Sequence, residues 1–307
     1  MNRIAIIGAG CVGSVIAERL WRYGKNIQIS FIAFGTIAEY LNKMGVKVNG
    51  ELIDVPIFKE GSQSPDLVFV CVKNFHLEHA CKDLRRVVDD HTILLPLLNS
   101  VSPTPTISQF FPNNRVLYGY ITKIDSQMDA NGSFNYNIAG DIHFGDKENN
   151  TIDEKLLEIR EILRNSGFVA EVDKDMLRGV WRKWMLNVGA NQVSALTEAN
   201  YLQFAKIPEV KEVLRLAMQE LLTIAGYEGV DLGNRDIAEI LDYLTTYPFP
   251  KQTSMLQDIL AKRRTEVDYI SGDIIRLSHK WNCPCPVNLT MYYLIKSKQD
   301  VYLNKII

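Results

Sequence analysis

No apolar run in the sequence reaches the roughly 20 residues needed to span a bilayer, and the apolar N-terminal stretch ends in a glycine turn, not in a signal-peptide cleavage pattern. These two absences give the expectation of a cytoplasmic protein with no membrane partner. An excess of positive charge is also missing: Lys and Arg number 34 against 36 Asp and Glu, for a formal net charge of -2. Without a positive field over the chain, nucleic acid is a poor candidate partner, and a small-molecule substrate is the better expectation. Cysteine is sparse. Cys11, Cys71, Cys81, Cys283 and Cys285 are too few and too scattered for a disulfide framework. Cys283-Pro284-Cys285 has the spacing of a metal or redox pair, but no second cluster completes a ligand set, so no metal site is expected. Internal repeats and low-complexity tracts are absent by inspection.

What is present is the composition of a soluble globular protein. The 307 residues are 47% apolar and 23% charged, enough chain for about two domains with substantial cores. The most informative stretch comes first. Ile4-Ala5-Ile6-Ile7 reads as a short buried strand, Gly8-Ala9-Gly10-Cys11-Val12-Gly13 follows at once, and Val15, Ile16, Leu20 and Trp21 then take up helical spacing. A strand, a GxGxxG turn and a helix in that order form the phosphate-binding start of a dinucleotide-binding βαβ unit. Gly8 allows the tight turn, Gly10 lets backbone approach a pyrophosphate, and Gly13 lets the helix pack closely on the strand, with the phosphates at the positive end of the helix dipole. An ordinary glycine-rich turn is the plainer alternative.

Beyond this unit the first half keeps alternating. Strands are predicted at 27–33, 67–72 and 92–98 and helices at 37–44 and 77–88, a pattern of a mainly parallel sheet with helices on both faces. Residues 116–124 and 134–144 read as added strands that extend the sheet, with Asn131-Gly132 as a hairpin turn between them. From about Asp175 the strand signal fades. Residues 177–196, 207–227, 235–245 and 254–281 carry apolar side chains at three- and four-residue spacing. The expected fold is therefore α/β, an N-terminal Rossmann-type doubly wound sheet over residues 1–172 and an all-helical C-terminal domain over 173–307, joined through 165–175.

Two constellations in the second half carry candidate chemistry. Lys183, Asn187 and Asn191 stand four apart, so on a helix each is turned only about 40° from the one before and all three share a face. A solvated polar stripe is the bland alternative. Against it, Trp181, Trp184, Met185, Leu186, Val188 and Val193 leave little of that helix to face water, and polar groups on a buried helix need partners. The second constellation begins at Thr253-Ser254-Met255-Leu256-Gln257-Asp258. Pro248 and Pro250 bar an earlier helix start, and Ser254 with Gln257 fits an N-cap box, a role that can coexist with binding a substrate carboxylate. Glu266 lies about three turns further along and is expected to face Lys183 across the domain; a surface charge among Lys262, Arg263, Arg264 and Asp268 is its alternative.

Taken together, these motifs resemble the ketopantoate reductase (2-dehydropantoate 2-reductase) family over essentially the whole chain. The resemblance rests on the glycine turn, Val72-Lys73, Asn99 after Leu94-Leu95-Pro96-Leu97, the Lys183, Asn187 and Asn191 helix, the segment from Ser254 to Asp258, and Thr265-Glu266-Val267-Asp268 with Gly272. It implies reduction of the ketone of 2-dehydropantoate, on the route to pantothenate and coenzyme A, with Lys183 as general acid and Glu266 holding Lys183 and the substrate hydroxyl. It further implies that Asn99, Asn187, Asn191 and Ser254 bind the substrate, and that Gly8, Gly10, Cys11, Val12, Gly13, Lys73, Asn99 and Glu266 line the cofactor. NADPH is the implied cofactor, with NADH left open, and a homodimer is compatible with it. The site would lie in the cleft between the domains.

Three departures from the family pattern stand out. Leu98-Asn99-Ser100 replaces the usual Gln-Asn-Gly. Phe34 stands before Gly35, where the family often has an arginine for the 2′-phosphate, and Lys25 or Lys43 is then the candidate cation. The stretch from Val101 to Asp146 matches poorly. A reductase of another small 2-oxo acid is thus the rival enzyme, and a non-catalytic nucleotide sensor the rival of another class.

Overall fold

Strand β1 (Arg3–Ile7) forms because its side chains must satisfy two faces at once. In a computed structural model describing residues 1–246 and 250–303, Ile4 and Ile6 join one apolar core while Ala5 and Ile7 join another. Helix α1 (Cys11–Tyr23) covers the first face with Val15, Ile16 and Leu20. Strand β2 (Gln28–Ile32), helix α2 (Gly35–Met44), the short strands β3 (Val46–Val48) and β4 (Glu51–Ile53) and strand β5 (Leu67–Val70) follow. Strand β5 repeats the alternation of β1: Leu67 and Phe69 enter the α1 core, whereas Val68 and Val70 pack with Leu77, Ala80, Cys81 and Leu84 of helix α3 (Leu77–Leu84). Period-two burial against helices on both sides is the mark of a doubly wound sheet.

Strand β6 (Ile93–Pro96) completes a four-stranded parallel sheet in the order β2-β1-β5-β6. Chain direction reverses its lateral path between β1 and β5, which places a topological switch point beside the glycine turn. Ile7 pairs with Val70, and Val70 with Pro96, so the carboxyl ends of the three strands lie level.

The region after helix α4 (Pro103–Phe110) departs from expectation. Strand β7 (Tyr118–Thr122) does not turn at Asn131-Gly132 into a single strand over 134–144. Instead β8 (Gln127–Met128) and β9 (Ser133–Asn135) form a small hairpin around that turn and join a separate sheet, ordered β4-β3-β9-β8. Asp129 holds the turn by accepting from the Asn131 and Ser133 amides at 2.8 and 2.9 Å. Strand β10 (Asp141–Gly145) pairs antiparallel with β7 and parallel with β11 (Val169–Glu171) in a third sheet, and helix α5 (Glu154–Asn165) lies between them in sequence with Asp153 as its cap. The periodicity of 134–144 hides the break because both fragments present apolar side chains inward.

The chain divides into two units, Met1–Gly179 and Val180–Ile307, and the division falls inside helix α6 (Met176–Thr197). The second unit contains no strand among its described residues. Helices α7 (Tyr201–Lys206), α8 (Pro208–Tyr227) and α9 (Asn234–Thr245) precede residues 247–249, so the helix-stopping role expected of Pro248 lies outside the described residues. The long helix expected over 254–281 is two: α10 (Ser254–Leu260) and α11 (Val267–Trp281). Lys262 takes a left-handed φ of 53°, and the Arg263 amide bonds back to the Asp258 carbonyl, so the chain leaves the helical path there. Helix α12 (Pro286–Leu303) closes the order. A buried polar network ties four of these helices: Gln192 donates to Asn288 at 2.7 Å, Ser271 donates to Gln192 at 2.6 Å, and Asn288 donates to Glu220 at 2.7 Å. Each member's demand is met by another, which makes the burial tolerable. No described helix is long and apolar enough to cross a membrane.

Candidate active site

In the first unit the functional geometry is made by what the three glycines leave out. Gly8 sits at φ +102°, and a Cβ there would stand 2.7 Å from the Cys71 and Val72 backbone at the end of β5. A Cβ on Gly13 would stand 1.9 Å from the Gly8 carbonyl oxygen, so helix and turn approach as closely as they do only because both positions are bare. Gly10 differs. It caps α1, and nothing lies within 4 Å of where its Cβ would be. Two glycines are therefore spent on internal packing while the third opens onto free space at the N-terminus of a 13-residue helix, whose first amides, those of Cys11, Val12 and Gly13, have no partner within the helix. A cradle of that kind fits the pyrophosphate of a dinucleotide.

Lys73 and Asn99 each lie three residues past the last residue of their strand, β5 and β6, and those last residues are paired. Both thus lie in the segments that leave the carboxyl ends of adjacent strands, and both are half-buried. The candidate phosphate lysines fare otherwise. Lys25 precedes β2, at the opposite end of the sheet from the glycine turn, and Lys43 is in the last turn of α2, about 12 Å along the helix from its start. Neither is placed at the carboxyl end of β2.

In the second unit, α6 holds Lys183, Asn187 and Asn191 on one face, as their spacing requires. Asn187 and Asn191 are each only 4% exposed, and Lys183 is half-buried. Desolvation of its ammonium, with the positive charge of Lys251 as the second cause, pushes Lys183 down from 10.5 to about 8. The Asn191 amide nitrogen is buried and makes no hydrogen bond, and so is the Trp184 indole nitrogen seven residues earlier on the same side of the helix. Two unsatisfied buried donors on the helix that carries a desolvated cation cost stability in the free protein, and a ligand's acceptors would relieve that cost.

Ser254 does not cap its helix. Thr253 does, its buried hydroxyl accepting from the Leu256 amide at 3.2 Å, and Ser254 is the first helical residue, half-buried. The two hydroxyls of Thr253 and Ser194 are in contact, while Ser194 donates to the Asn191 carbonyl, so the start of α10 is fastened to α6 one turn beyond Asn191. Sequence reasoning passed over Thr253 because Ser254 has Gln257 at the box position, whereas Thr253 has Leu256 there; Ser194 leaves no signal at all.

Glu266 lies off α10 altogether, at the N-cap of α11 and 5% exposed, which excludes the surface-charge alternative. The charge acting on Lys183 is that of Lys251. Among those residues no group of three or more His, Cys, Asp or Glu could hold a metal ion.

Comparison with known proteins follows the same division. A family model described as ketopantoate reductase PanE/ApbA matches residues 4–149, and the model of that family's C-terminal part matches residues 175–299. A 2-dehydropantoate 2-reductase of Archaeoglobus fulgidus is 25% identical over 302 residues, covering 98% of this chain and 99% of its own. Among solved structures, a PanE/ApbA family ketopantoate reductase from Ralstonia eutropha superposes with a TM-score of 0.83 at 24% identity, over 98% of this chain and 99% of that one. D-mandelate dehydrogenase, in its ternary structure with NADH and anilino(oxo)acetate, gives 0.86 at 22% identity over the same shares.

Proposed function

This chain belongs to the ketopantoate reductase family, and we propose that it reduces a small 2-oxo acid to the 2-hydroxy acid with a reduced nicotinamide dinucleotide, 2-dehydropantoate being the leading substrate and pantoate its product. The family expectation for the reductant is NADPH. The observation that carries the reading is the Lys183 face: a desolvated ammonium with its pKa near 8, on the same helix face as a buried amide donor, two turns on, that the protein itself leaves unpaired.

When bound, the dinucleotide supplies the hydride. The chain's own residues do the rest. Cys11, Val12 and Gly13 offer backbone amides to the pyrophosphate at the opening left by Gly10, and Lys73 and Asn99 hold the cofactor at the carboxyl ends of β5 and β6. Lys183 donates its proton to the ketone oxygen as negative charge develops there. A pKa near 8 leaves it mostly protonated at neutral pH yet a stronger acid than an ordinary lysine, as general acid catalysis favours. Asn187 and Asn191 donate to the substrate's oxygens, Ser254 binds its carboxylate, and the buried Glu266 accepts from its hydroxyl.

A substrate screen tests this. Purified protein is given NADPH or NADH with 2-dehydropantoate, phenylglyoxylate (the oxo acid corresponding to mandelate) and a panel of aliphatic 2-oxo acids, and loss of nicotinamide absorbance is followed. Turnover of 2-dehydropantoate is the expected result. Turnover of another oxo acid alone would transfer the assignment to the rival reductase, and tight dinucleotide binding with no turnover of any oxo acid would leave a nucleotide sensor.

A further inference from the structure

The carboxyl end of β2 is where a Rossmann-type site meets the adenosine ribose, and there the chain has an aromatic ring in place of a charged side chain. Phe34 stands two residues past β2 at the start of α2. The structure brings two further residues to it that are remote in sequence. Segment 56–58 runs parallel to β2: the Phe31 amide donates to the Pro56 carbonyl at 2.8 Å, and the Phe58 amide donates to the Phe31 carbonyl at 2.7 Å. Glu60, two residues further on, is thereby carried past the same end of the sheet. Arg86, from the turn after α3, lies over the Phe34 ring with its guanidinium carbon 3.7 Å from the centroid. It also donates to both oxygens of Glu60, from Nε at 2.8 Å and from Nη2 at 2.9 Å.

We infer that Phe34, Arg86 and Glu60 together select the 2′-hydroxyl of the adenosine ribose over a 2′-phosphate, so that the chain takes NADH in preference to NADPH. The inference rests on the dinucleotide reading above and departs from the family expectation for the reductant. Its physical ground is charge and donor count. The Arg86 guanidinium is covered on a face by Phe34 and spends two donors on Glu60, in the bidentate geometry that a phosphate would otherwise occupy. Asp83 adds the field of a second carboxylate to Arg86. Glu60 and Asp83 thus engage the guanidinium that a phosphate dianion would need, whereas the Glu60 carboxylate is an acceptor for a ribose hydroxyl. Lys59, exposed beside Glu60, is the cation that a 2′-phosphate would have to use.

Equilibrium titration of the full chain with NADH and NADPH, read by nicotinamide fluorescence, tests this without turnover. The unaltered protein is expected to bind NADH about tenfold or more tightly than NADPH. Glu60→Gln removes the carboxylate from an exposed pair, where loss of the fold is not expected. It is expected to weaken NADH and tighten NADPH, moving the ratio of the two dissociation constants about tenfold toward NADPH, while Lys59→Ala weakens NADPH alone and moves the ratio further toward NADH. NADPH binding equal to or tighter than NADH in the unaltered protein, or an unmoved ratio in Glu60→Gln, would overturn the inference and leave the dinucleotide reading standing. Binding of neither dinucleotide would overturn both.

Discussion

The two units build their sites from opposite materials. In the first the cradle is backbone, shaped by three positions where a side chain is missing, and two of those positions serve the packing of the turn itself. In the second the proposed site is a row of side chains on a helix that is otherwise packed, with a cation held at reduced pKa and two buried donors left without partners. A backbone site costs the fold little once the glycines are in place, because helix-terminal amides are unpaired in any case. A side-chain site stores its cost in the free protein, as desolvated charge and unmade hydrogen bonds. The first should therefore fail by steric change and the second by chemical change.

The largest effect is expected at the chemical end of that contrast. Lys183→Ala should lower turnover by about 10² to 10⁴, the usual range for a general acid, while the dissociation constant of the dinucleotide stays within twofold of the unaltered value. Steady-state kinetics with a fluorescence titration would show it, and unchanged turnover would remove Lys183 from the acid role. At the steric end, Gly13→Ala and Gly10→Ala should part company. The first drives a methyl group into the Gly8 carbonyl and should cost about 1–3 kcal/mol or more in thermal or urea unfolding. The second meets nothing in the protein, so its melting temperature should hold while dinucleotide affinity falls about tenfold. Equal losses of stability in the two would erase the distinction between packing and cradle glycines.

Asn191→Leu offers a finer probe. Removing a buried donor that has no partner should leave stability unchanged or raise it by up to about 1 kcal/mol, yet the KM for the oxo acid should rise about tenfold. A stability loss with KM unmoved would make Asn191 a structural residue.

The smallest effect concerns pH. Because desolvation first and Lys251 second lower the Lys183 pKa to about 8, reduction should be level below that pH and fall toward tenfold per unit above it, as the ammonium loses its proton. Lys251→Gln removes the repelling charge, so its alkaline limb should move to higher pH by less than about one unit. A limb that stays in place would show that Lys251 does not act on the acid.

The same contrast explains which features were legible beforehand. The glycine turn could be read because each of its requirements is local: a strand, a turn and a helix start within ten residues. The shared face of Lys183, Asn187 and Asn191 could be read because one helix carries it. The hairpin at Asn131-Gly132 was assigned to the wrong strands, since a turn dipeptide fixes a reversal but not its partners, and β8 and β9 are too short to show a period. The cap of α10 was misplaced by one residue, from Thr253 to Ser254, because Gln257 completes a capping box for Ser254 while the bond that decides, from the Leu256 amide to the Thr253 hydroxyl, needs no particular residue type at 256. Lys25 and Lys43 looked equally able to reach a phosphate until the direction of β2 and α2 put both away from the sheet's carboxyl end.

Local order along the chain, then, determined the alternation of strand and helix, the bare backbone at Gly8, Gly10 and Gly13, and the stripe on α6, since each follows from steric and periodic rules that act over a few neighbours. Tertiary structure alone decided that Glu60 and Arg86, 26 residues apart, meet over Phe34, that Ser194 anchors Thr253, and that Lys183 feels Lys251 more than any carboxylate. Electrostatic and hydrogen-bond partners are chosen by distance in space, and sequence separation carries no record of that distance.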